Sequence, residues 1–325
     1  MISTIRRLGD WYPLRPLVLA VGPWVVVWLL VRGTVPVNPP DAWFAFGLVV
    51  GPVSLVALGS SNAGAASWAL ARGARFSPNW NVLLWHHLTR TRVARTLGVT
   101  LGIAVPMMIN GMYNAGGGEV VAWWPESSRE VNGYWMPALG YVIGSMWAEV
   151  RKPRLRLEGT AGAALLSPRR LGDYLDPGVS RALGGFTLAV LFVATVSVLA
   201  PLPLSSFTME PEWTPVVGPT AVAALALGGA WWVSHRVERA VDDAALAYEE
   251  LTRTATVNAL AGAGIAMLGE LSVKVASIPH DGYQVSGWWL AVPGLLSLLG
   301  LGVWIGCGTK LVFRSRRIDA LRAAA

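Results

Sequence analysis

RKPRLRLEGTAGAALLSPRRLGDYLDPGVSR, residues 151–181, is the longest polar interruption in an otherwise apolar chain, and its reading decides the fold. Arg151, Lys152, Arg154, Arg156, Arg169, Arg170 and Arg181 put seven of the 26 basic residues into one linker between two apolar runs. Positive charge beside membrane spans stays on the cytoplasmic face, so the side of this linker sets the direction of every span before and after it. The linker also divides a single membrane domain, 1–325, into two stretches that read as a hairpin repeat, 42–150 and 151–325.

Working outward, the chain has 54% apolar and only 14% charged residues, with a mean hydropathy of +0.48. A soluble globule usually carries about 25% charged residues, so the composition points to lipid as the solvent. The net charge of +7 suits anionic headgroups better than nucleic acid, because the basic residues flank apolar runs instead of lining one polar face. Several of the 17 Trp fall near the ends of those runs, where an amphipathic ring prefers the headgroup level. The single Cys307 can form no internal disulfide.

A bilayer is crossed by about twenty apolar residues. Eight such stretches occur, near 16–33, 42–62, 95–113, 133–149, 182–201, 215–234, 256–277 and 287–308. With both termini cytoplasmic, 23 of the 26 basic residues fall inside, leaving only Arg32, Arg129 and Lys274. The runs do not alternate as barrel strands do, and an isolated span must satisfy its own backbone hydrogen bonds. An all-α, polytopic bundle of about eight transmembrane helices in the cell's cytoplasmic membrane is expected. Gly47/Gly51, Gly98/Gly102, Gly140/Gly144 and Gly302/Gly306 have the spacing that lets helices approach closely or that builds a homo- or hetero-oligomer. The repeat rests on an echo. Trp-Ala-x-x-Arg, Ser-Pro and Arg-x-Leu-Gly recur in order in the loops after the second and fourth spans, at Trp68, Ser77 and Arg95 and again at Trp147, Ser167 and Arg181.

Three loops carry candidate chemistry. PNWNVLLWHHLTRTR, residues 78–92, places Trp80, Leu83, Leu84, His87 and Leu88 on one helical face, and reads as a surface helix or as a docking element. In the central loop Ser167 and Pro168 predict the start of a short helix through Tyr174, closed by Asp176, Pro177 and Gly178. The segment after the sixth span reads as its cytosolic continuation, with Asp242, Asp243, Glu249 and Glu250 on a solvated face. Within the seventh span Glu270 and Lys274 stand at i and i+4, a pair expected to be buried together, with structural and proton-path readings both open. His86 and His87 point to different faces, and no metal site or cofactor is expected.

No P-loop, HExxH, GxSxG or cysteine pair occurs, so no enzymatic activity is expected. LSPRRLGDYL, VDD, LTRTATVNALAGAGIAML and the 23 Arg against 3 Lys resemble polytopic membrane proteins of high-GC actinobacteria whose motifs have no assigned chemistry. The likeness covers 150–275 best. Such proteins resemble partners of ABC-type ATPases, so the resemblance implies a permease-like membrane subunit of an ABC-type exporter without its own ATPase. Trp85, Leu88, Arg170 and Tyr174 are then the expected anchors for a separate ATPase subunit. An ion- or proton-coupled carrier built on Glu270 and Lys274, and a non-transporting scaffold or sensor partner, stay open beside it. None of the three readings involves nucleic acid.

Overall fold

In a computed structural model, residues 78–115, 135–152, 170–199, 214–236, 243–277 and 287–309 are described, together with Ala66, Ala69 and Leu70. Among them the chain is all helical. The elements are α1 (Pro78–Ala115), α2 (Trp135–Val150), a 3-10 turn (Leu171–Asp173), α3 (Pro177–Leu199), α4 (Thr214–His235), α5 (Asp243–Ser277) and α6 (Gly287–Thr309). Within the described residues three helical stretches are long and apolar enough to cross a membrane: Pro177–Ser197, Pro215–His235 and Leu246–Ala276. Ala291–Cys307 is a shorter apolar helix. Six of the eight expected spans fall on α1 to α6; those near 16–33 and 42–62, with Gly47/Gly51, lie outside the described residues.

α5 is the axis of the bundle. α6, α4 and α3 pack on it, α2 reaches it beside α4, and α1 packs on α2. Small residues allow this crowding. A side chain at Gly98 would enter the backbone of Gly140, one at Gly102 that of Met136, and one at Gly144 that of Ala94. Gly262 lies against Cys307 and Trp304, and Gly269 against Leu296. These pairings make α1/α2 and α5/α6 antiparallel. α3 is parallel to α5, since Asp176 is joined to Asn258 at one end and Val193 packs with Val275 and Ala276 at the other. The described helices therefore alternate in direction along the chain. The starts of α1, α3 and α5 and the ends of α2, α4 and α6 share one end, here termed the basic end. On the outside, Leu188, Leu191 and Phe192 of α3 and Leu295, Leu298 and Leu299 of α6 are exposed, an apolar surface suited to hydrocarbon.

Three local expectations are corrected. Residues 78–92 are not a separate surface helix: with no proline between Asn79 and Val105, the helix continues into the apolar stretch as one 38-residue element, about 57 Å long. Asp176, Pro177 and Gly178 open a helix instead of closing one. Asp176 is the N-cap of α3, its carboxylate accepting the Gly178 N–H at 2.8 Å, and Pro177 takes the first position, where a missing N–H costs nothing. The two loops with the Ser-Pro echo thus enter their next helices differently. Finally, α4 ends at His235 and α5 begins at Asp243, so the polar segment around Glu249 belongs to the seventh expected span, not the sixth.

Candidate functional site

At the basic end, α5 carries Glu249, Glu250, Thr252, Arg253, Thr254, Thr256 and Asn258 in just under three turns, and all but Glu249 are buried. A buried polar group must find partners or lose its hydration without return. Here the partners come from the connections between other helices, in two groups.

The first group lies where α2 and α4 end. Lys152, just beyond α2, pairs with Glu249 and donates to Thr252 Oγ1 at 2.6 Å. Glu149, only 1% exposed in the last turn of α2, has Lys152 Nζ at 3.8 Å and Arg236 Nη1 at 3.9 Å, and accepts a hydrogen bond from Thr256 Oγ1 at 3.4 Å. Arg236 also donates to the Glu149 carbonyl at 3.0 Å, which ties the end of α4 to the end of α2. Two cations at the C-terminus of α2 suit the negative end of its helix dipole.

The second group lies where α3 begins. Tyr174 is fully buried, accepts from Arg253 Nη1 at 3.3 Å and donates to Glu250 Oε1 at 3.4 Å. Arg253 is itself 0% exposed and stands over the Tyr174 ring at 5.6 Å. Asn258 accepts the Asp176 N–H at 2.8 Å and donates to the carbonyls of Tyr174 and Thr254, both at 2.8 Å. One helix thus holds the exit of α2, the exit of α4 and the entry of α3.

α1 joins from the side. Leu84 packs with Ala69, Tyr248 and Leu251, flanked by Trp80, Trp85 and Leu88. His87 is buried, its ring edge-on to Tyr248 at 6.1 Å and its Nε2 3.5 Å from Thr91 Oγ1. Burial first, then the charges of Lys152, Arg95 and Arg90, hold His87 well below the usual imidazole range, so it is neutral at pH 7. His86 is lowered too, by burial and then Arg90. The adjacent histidines do face apart, since His86 stacks on Trp85 at 4.4 Å instead.

The four expected docking residues divide. Arg170 is exposed, Trp85 and Leu88 are half-buried, and Tyr174 is closed off, so it serves as a core residue and presents nothing to a partner. Glu249 and Glu250 were expected on a solvated face; the first instead pairs with Lys152 and the second is buried against Tyr174. Glu270 is buried within α5 near Ser277, with Lys274 half-buried one turn on. Glu149, Arg236, Arg253, Thr252, Thr256 and Asn258 were not singled out from sequence. Their signal was available: Glu249, Thr252 and Thr256 recur at three and four residues, one face of a helix that is otherwise turning apolar. Among the described residues no group of three His, Cys, Asp or Glu could hold a metal ion.

No family model matches the chain, and neither a curated protein nor a solved structure is found similar to it.

Proposed function

We propose that the chain is a membrane-spanning, permease-like subunit of an ABC-type exporter, driven by a separate ATPase at its basic end and not itself an enzyme. The observation that carries this reading is the clamp on α5: charged and hydroxyl side chains fasten three inter-helix connections to one axial helix. An ATPase can act on a membrane bundle only by pushing where the helices are joined. A clamp of this kind makes those ends move together, and α1, continuous for 38 residues, carries a push from outside the bilayer into it. On this reading eight spans cross the cytoplasmic membrane with both termini inside, and the basic end faces the cytoplasm.

A carrier using Glu270 and Lys274 is the second reading, favoured by the burial of Glu270. Depth weighs against it. Twenty residues of helix separate Glu250 from Glu270, about 30 Å, which is also about the thickness of the hydrocarbon core. With Glu250 at the inner boundary, Glu270 and Lys274 reach the outer one, whereas a coupled ion is normally held near the middle.

The test is a pull-down of the tagged chain from native membranes, with copurifying proteins identified by mass spectrometry and ATP hydrolysis measured. A partner with a P-loop and vanadate-sensitive hydrolysis is expected, and Trp85→Ala with Arg170→Glu should release most of it while the chain still accumulates. Recovery without any P-loop protein, or a mutant that keeps its partner fully, moves the scaffold reading ahead.

A further inference from the structure

The described acidic and basic side chains are sorted in opposite senses. Glu149, Asp176, Glu250 and Glu270 are buried, and Asp173 and Glu249 are half-buried, so none of these six carboxylates is fully exposed. Five arginines, Arg90, Arg92, Arg151, Arg170 and Arg181, are exposed. At the basic end Glu149, Glu249 and Glu250 are taken up by the internal clamp, Asp173 and Asp176 cap the turn and helix that follow, and the exposed charges among the described side chains are cationic.

This cationic surface has aromatic rings built into it. Trp147 is 55% exposed in the last turn of α2, and the Arg151 guanidinium lies over its ring at 4.5 Å. On α4, Trp231 is 56% exposed, and Arg236 lies over the neighbouring Trp232 at 5.5 Å. Arg90 of α1 donates to the Arg151 carbonyl at 2.9 Å, which places it at the same height. Among the described residues none accepts a hydrogen bond from the Arg151 guanidinium. A planar cation backed by an exposed indole is shaped for a phosphate oxygen at its edge and acyl chains beside.

We propose that this rim, formed by Arg90, Trp147, Arg151, Trp231 and Trp232, binds anionic phospholipid headgroups of the leaflet it faces. Two features argue for lipid over a soluble anion. Trp147 shares its exposed face of α2 with Ile143 and Val150, so the ligand that reaches Arg151 lies against an apolar wall. The charge is also spread around the ends of α1 and α2 instead of converging in a closed pocket. The inference rests on the membrane reading and not on the ATPase reading, and its assay needs neither a partner nor a topology.

The full chain, purified in neutral detergent, is titrated with equal mole fractions of phosphatidylglycerol and phosphatidylcholine of the same acyl chains, and bound lipid is counted by native mass spectrometry. Preferential retention of phosphatidylglycerol, weakening with salt, is expected. Arg151→Gln should lower it about fivefold, the weight of one basic residue near an anionic surface. Arg90→Gln is a second, independent probe should the first variant accumulate poorly. Trp147→Ala should lower retention of both lipids. Equal retention of the two lipids, or arginine variants that bind like the parent, overturns the proposal. So does full displacement by millimolar glycerol phosphate, which would make the site one for a free phosphate.

Discussion

The α1/α2 seam and the α5 clamp lie about two helical turns apart, yet they close the bundle by opposite means. In the seam Gly98, Gly102, Gly140 and Gly144 remove side chains altogether, so backbones touch and the helices are held by dispersion. At the basic end the same kind of contact is made by the longest side chains available, Lys152, Arg236 and Arg253, reaching across to Glu249, Glu149 and Tyr174. The seam suits a region with no water, where an extra polar group would cost several kcal/mol. The clamp suits a boundary, where charges are partly hydrated before folding and their desolvation is less severe. The two regions meet at a sharp change in composition: the polar side chains of the clamp end with Thr256 and Asn258, and Ala259 to Gly269 of α5 carry no charge at all.

The largest expected effect lies in the clamp. Glu149→Leu leaves Lys152 and Arg236 without their shared carboxylate, and removal of one member of a buried charge group typically costs about 3–5 kcal/mol. Thermal midpoint in detergent and membrane yield should both fall. Adding Arg236→Leu removes one of the two cations that share Glu149 and should restore part of the loss, a coupling that a double-mutant cycle reads directly. If the double change is as damaging as the sum of the single ones, the two residues do not act as a unit and the clamp is not organised as described.

The next effect breaks the seam. Gly98→Ala drives a methyl into the Gly140 carbonyl, which can be relieved only by separating α1 from α2, at a cost of about 1–3 kcal/mol. Gly302 provides the contrast, because its added methyl meets none of the described residues, so Gly302→Ala should leave the midpoint unchanged or slightly raised. Equal sensitivity at the two positions would mean that Gly302 is also covered, most simply by a second helix in an oligomer.

The contrast also explains what the sequence revealed. Helices α2 to α6 were legible because apolar runs of about twenty residues have one structural use in a lipid-facing chain. Gly98/Gly102 and Gly140/Gly144 were legible as close-approach motifs, and the structure pairs them with each other; Gly302/Gly306 has the same spacing and no such contact. The clamp was not legible as a site. Glu249 and Glu250 look like solvent-facing residues in any helix rich in charge, and only the arrival of Lys152 and Tyr174, 97 and 76 residues away in sequence, turns them inward. Tyr174 misled for the same reason. It stands among polar loop residues, yet the cap at Asp176 and the bond to Asn258 fold that loop back onto α5.

The smallest expected effect is a pH dependence confined to the basic end. His87 is buried, and its pKa in the folded chain lies well below the value of about 6.5 it has when unfolded. Below that value the unfolded chain takes up the proton and the folded chain resists it, because a charged imidazole would sit without water near Lys152, Arg95 and Arg90, edge-on to Tyr248. Stability from this residue is therefore present above about pH 6.5 and lost as the pH falls, with a slope of at most about 1.4 kcal/mol per pH unit for one proton. His86 titrates in the same sense, so the test is a difference. The thermal midpoint should fall between pH 7 and pH 5 in the parent and fall less in His87→Gln. Gly98→Ala, which acts in the seam, should shift the midpoint by the same amount at every pH in that range. Parallel curves for the parent and His87→Gln would show that His87 is protonated as readily folded as unfolded, and so that the packing of α1 on α5 at Tyr248 is open to water.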